Sequence, residues 1–130
     1  MRRTLLAAAL SAALAAALAA PALAEAPRVV LFFSSWSAKL DSAATRSIQG
    51  AADWAKRHPA ATLTVTGHAS TIGSAAANED LSLLRAQIVS DELAADGVPP
   101  ARIRRHSLGA TDYVMDPEEA RRVVITLGGP

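Results

Sequence analysis

Cysteine is missing from all 130 residues. Without it the fold has no disulfide to lean on and must stand on a hydrophobic core. Lipid cannot be attached at a cysteine either. An excess of one charge is also missing. The formal net charge is +1, and Arg2 and Arg3 account for it; without them the chain is one charge negative. That excludes nucleic acid or an anionic membrane surface as the evident partner. After Ala24 no apolar run is long enough to span a bilayer. No series of alternating ten-residue strands suggests an outer-membrane barrel. No pair of histidines stands at helical or strand spacing with a carboxylate, so no metal and no other cofactor is expected. There is no internal repeat.

What is present begins with a leader. Arg2 and Arg3 make a positive start, and Leu5 to Ala20 is an apolar run of Ala and Leu. Pro21 breaks the run, and Ala22-Leu23-Ala24 is a small-x-small site before Glu25. This is the pattern of a secretory signal peptide over residues 1–24. The run also approaches the roughly 20 residues that cross a bilayer, so a retained anchor is the rival reading. The break at Pro21, the small-residue site and the weak hydrophobic drive of alanine favour cleavage. Residues 25–130 are then a single exported, soluble domain.

Within it, Arg28 to Phe33 is a short apolar run that predicts a strand buried on both faces. A polar loop around Trp36 follows. Asp41 is a good N-cap, and Ala44, Ile48, Ala51 and Ala55 recur at helical spacing, predicting a helix over 42–57 that Pro59 stops. Thr62 to Thr66 alternates, with Leu63 and Val65 on one face, and predicts a half-buried strand. Gly67 to Gly73 reads as a turn. A second helix is expected from about Asn78 to Asp96, with Leu81, Leu84, Ile88 and Val89 as its apolar stripe and Gly97 as its stop. Arg102 to Ser107 and Arg121 to Leu127 predict two more strands, with residues 109–120 as the loop between them. The order β-α-β-α-β-β implies parallel pairing through crossovers, with the last strand antiparallel. The expected class is α+β, an α/β sandwich: a mixed sheet with both helices on one face.

One stretch carries more than fold. "VTGHASTIGSAAANEDLSLLRAQIVSDELAADGVPPARIRRHSLG", followed by "ARRVVITL", resembles the OmpA-like domain, the periplasmic peptidoglycan-binding module also found at the C-terminus of MotB-type proteins. Gly67, His68 and Gly73 match the family's G-H-T-D-x-x-G element. Asn78, Leu81, Ser82, Arg85 and Ala86 match N-x-x-L-S-x-x-R-A. Gly97-Val98, Arg102-Ile103, Gly109 and Arg121-Arg122-Val123 match the remainder. Three positions depart: Ser70 replaces an aspartate, Ser107 a glycine and Val124 a glutamate.

The resemblance implies non-enzymatic binding of the diaminopimelate side chain of a wall peptide. In the family the arginine takes its carboxylate and the aspartate its ammonium. A bidentate guanidinium suits the first task. Here Arg85 keeps that half, and Asn78 matches an asparagine that also touches ligand. Ser70 keeps a hydroxyl but not the charge; Glu79 or Asp80 is a candidate replacement anion. Trp36 is the better placed of the two tryptophans for ligand contact. His68 counts among the site residues, although it reads more readily as a turn residue. Arg122 is a candidate support for the pocket floor. A nucleophile made of His68 and Ser70 is the remote alternative, because residues two apart on a turn rarely pair as nucleophile and base. The implied partners are peptidoglycan and, on the alternative reading that the wall site has decayed, other envelope proteins. The implied location is the periplasm, in association with the outer membrane.

Overall fold

The computed structural model describes residues 26–109 and 120–128. The expected leader and the loop of residues 110–119 lie outside them. The elements are β1 (Arg28–Phe32), α1 (Ser42–Arg57), β2 (Leu63–His68), α2 (Ala75–Ala95), a 3₁₀ turn (Pro100–Arg102), β3 (Ile103–Gly109) and β4 (Arg122–Leu127). They form the expected mixed sheet, with both helices on one face.

The strand order is β1-β4-β2-β3. β2 and β3 run parallel, Leu63 opposite Ile103, joined by the α2 crossover. β4 comes last in sequence but sits inside the sheet. It pairs antiparallel with β1, Val30 opposite Val124, and with β2, Val65 opposite Ile125.

The core lies between sheet and helices. Leu31, Leu63, Val65, Val123, Ile125 and Leu127 project from the strands. Ala44, Ile48, Ala51, Ala52 and Ala55 meet them from α1, and Ala86, Val89 and Leu93 from α2. Small alanines let α1 lie close to the sheet. The Asp41 side chain caps α1, accepting from Ala44 N at 2.7 Å, a contact worth about 1 kcal/mol.

Three expectations need correction. β1 is not buried on both faces: Val30 and Phe32 are 44% and 46% exposed. It is an edge strand, the helices cover one face only, and strand alternation turns every second residue outward. α2 begins a turn earlier than expected, at Ala75, with Ser74 Oγ accepting from Ala77 N. Its buried face is Asn78, Ser82, Arg85, Ala86, Val89, Ser90 and Leu93. Leu84, expected in the core, is 48% exposed. Val89 is in the core as expected, and Leu81 and Ile88 are half-buried; the inward face is polar at one end because it faces a pocket. Gly67 is a strand residue, not a turn residue. A Cβ there would collide with the carbonyl oxygen of Ser82, so its bareness lets α2 press onto β2.

Candidate functional site

The loop after β1, the turn after β2, the first half of α2 and the residue before β4 converge at one end of the sheet. They enclose a cavity of about 70 Å³.

Arg85 lies at its base and has no exposed surface. Its Nε donates to Ser37 O at 2.8 Å, Nη2 to Ser34 O at 3.1 Å and Nη1 to His68 O at 3.4 Å. The guanidinium carbon lies 5.2 Å from the centre of the Phe33 ring. Three of the five N–H groups of a guanidinium are thus spent on neutral carbonyls, and two remain. Arg121 lines the same cavity, its Nε held by Phe33 O at 3.1 Å. Burial, and then the positive charge of Arg121, push the Arg85 pKa down to about 10. Among the described residues no carboxylate lines the cavity or pairs with either arginine. A buried cation beside a second cation, without a counter-ion among the described residues, offers a place for an anion.

The turn above is laced from within. Ser70 Oγ accepts from Ile72 N at 3.0 Å. Asn78, 2% exposed, donates through Nδ2 to Ile72 O at 2.8 Å and Ser74 O at 3.0 Å. Both residues line the cavity. Gly73 has φ +92°, and a Cβ there would crowd the Trp36 ring. Trp36 itself holds φ +53°, a left-handed conformation that is strained for an aromatic residue. It lines the cavity while 60% exposed, with Ile72 also exposed nearby.

The structure therefore gathers Arg85, Asn78, Ser70 and Trp36, and separates His68. The imidazole of His68 lies on the opposite side of the sheet, in a shallow hollow with Thr66, Val124 and Arg122. Its carbonyl accepts from Arg85. Arg122 faces that hollow too, so Arg121 and not Arg122 serves the pocket; strand parity decides between neighbours. Glu79 and Asp80 are exposed and do not line the cavity. The sequence reading missed Arg121, Ser35 and the carbonyls of Ser34 and Ser37. Parity counted back from the core-facing Val123 would have found Arg121. Ser107 has a local explanation: its hydroxyl hydrogen-bonds that of Ser82 beneath α2. Among the described residues no group of three metal-ligating side chains forms, and no helix is long and apolar enough to cross a membrane.

This geometry coincides with a family match. Residues 32–123 match the OmpA family. The chain belongs to the OmpA family. A peptidoglycan-associated lipoprotein of Agrobacterium fabrum is 33% identical over 105 residues, covering 76% of this chain. The chain spans 59% of that lipoprotein's length. Two solved structures share the OmpA-like fold. The peptidoglycan-associated lipoprotein from Burkholderia pseudomallei superposes with a TM-score of 0.71 at 23% identity, over 75% of this chain and 88% of that one. The periplasmic domain of Helicobacter pylori MotB gives 0.69 at 18% identity, over 82% and 78%. The α+β architecture expected from sequence is thus that of this OmpA-like group.

Proposed function

We propose that this OmpA-family chain binds peptidoglycan non-covalently in the cell envelope, as a binding module and not an enzyme. The observation that carries the reading is Arg85: wholly buried, without an ion pair among the described residues, and aimed with Arg121 into an open pocket. On this reading Arg85 takes a carboxylate of the wall peptide, the diaminopimelate end in the family's manner. Asn78 holds the turn that shapes the pocket, and Trp36 offers an exposed indole at its mouth. Ser70 replaces the family aspartate, so the hold on an ammonium is weaker by about 1–2 kcal/mol. Residues 1–24 act as a secretory leader that delivers the domain to the periplasm. The name of the Agrobacterium relative supports the wall as ligand and the envelope as location.

The test is co-sedimentation with isolated sacculi. Wild type is expected to pellet; Arg85→Ala and Arg121→Ala are expected to stay in solution while keeping their circular dichroism. Failure of wild type and Ser70→Asp alike overturns the proposal. It would leave an envelope protein-interaction module, for which the half-exposed Val30 and Phe32 on the outer sheet face are the observation in hand.

A further inference from the structure

The wall-binding reading leaves open which form of the ligand end the pocket takes, and the pocket's own chemistry bears on that. It holds two guanidinium groups and, among the described residues, no carboxylate. Ser70 Oγ already accepts from Ile72 N, which leaves its O–H donor and one lone pair, neither of them charged. The Nδ2 of Asn78 is spent on the carbonyls of Ile72 and Ser74, which leaves Oδ1, a neutral acceptor. An ammonium entering beside the carboxylate would meet like charge from Arg85 and Arg121 in a partly buried site. Among the described residues no anion would compensate its lost hydration. An amide fares differently. Its carbonyl can take the Ser70 hydroxyl, and its N–H can be accepted by Asn78 Oδ1.

We infer that the pocket selects a carboxylate whose neighbouring amine is acylated over one whose amine is free and charged. The inference rests on the wall-binding reading. Wall peptides present this chemistry in two places: at a diaminopimelate end whose amine is joined in a cross-link, and at the free C-terminus of a stem peptide. The first would place the protein on cross-linked wall, the second on uncrosslinked stems. Ser70 and Asn78 line the same cavity as Arg85 and Arg121, so the nitrogen beside a bound carboxylate falls among these four residues.

The experiment is calorimetric titration of the purified protein with soluble tetrapeptide muropeptides. Four are needed: diaminopimelate amine free or acetylated, each with the C-terminus free or amidated. Among the C-terminally amidated pair, the acetylated peptide is expected to bind about tenfold tighter, and Ser70→Asp to reverse that order. If only the peptides with a free C-terminus bind, the selected group is the stem terminus, and the preference for an acylated neighbour stands. If the amidated peptide with a free amine binds as well as or better than its acetylated twin, the inference fails while wall binding survives. If no muropeptide binds and sacculi do not pellet the protein, both fail together.

Discussion

Two arginines in this fold use the same contacts for different ends. Arg102 donates to Ala61 O at 2.8 Å, Ala55 O at 3.0 Å and His58 O at 2.7 Å. Arg85 likewise donates to three backbone carbonyls. The carbonyls differ in origin. Those around Arg102 come from the last turn of α1 and the chain just beyond it, where unpaired carbonyls and the negative end of the helix dipole answer its charge. Those around Arg85 come from a loop and a strand end, which satisfy hydrogen bonds but supply no negative pole. Arg102 is partly exposed, so water shares the load; Arg85 has no exposed surface of its own and shares its cavity with Arg121. The first arginine is complete as it stands. On the proposed reading the second is completed by an anion. A count of hydrogen bonds cannot tell a structural arginine from a binding one; the sign of the surroundings can.

The strongest way to break this comparison is to remove each arginine in turn. Arg85→Ala is expected to lower muropeptide affinity at least about 100-fold, the scale for losing one partner of a buried charge pair. Arg102→Ala is expected to leave that affinity unchanged. Its cost falls on folding instead, about 2–3 kcal/mol in urea denaturation for the loss of a charged donor to three carbonyls. Equal effects of the two variants on binding would sink the distinction.

Alkaline titration sharpens it. The folded pKa of Arg85, about 10, lies below the ordinary guanidinium range. Over that window the unfolded chain binds more protons than the folded one, so the burial penalty is present in full at neutral pH and is relieved as pH rises through 10. Stability contributed by this group therefore climbs in the same interval in which carboxylate binding is lost. Affinity measured from pH 8 to 11 is expected to fall on passing 10, and a flat profile would argue against Arg85 as the clamp. The smallest effect is at the pocket mouth. Trp36→Gly should stabilise the free protein by up to about 1 kcal/mol through relief of the left-handed backbone, yet weaken binding to sacculi. Thermal unfolding and co-sedimentation of one preparation check both halves.

Much of the fold was legible in local pattern. The first helix runs over the predicted 42–57, because Asp41, the alanine spacing and Pro59 are signals carried within one element. Arg85, Asn78, Ser70 and Trp36 were reached through the family resemblance, and they do line one cavity. What could not be read is set by distant partners. The exposure of Val30 and Phe32 depends on β1 being an edge, which no residue of β1 records. The buried stripe of α2 was misassigned at Leu84 because a pocket replaces core with polar groups. The exchange of Arg122 for Arg121 turns on one step of strand parity, and the role of Gly67 on the backbone of Ser82 across the core.

The place of β4 in the sheet has a consequence for biogenesis. Among the described residues β1 pairs with β4 alone, so the first of these strands to emerge stays unpaired until the last has been made. Sheet closure must wait for contacts that span most of the chain, and such contacts form slowly. A nascent chain of this topology has no finished sheet to resist threading. On the proposed reading that the chain is exported, the order of strands keeps the polypeptide loose during translocation and defers folding to the far side.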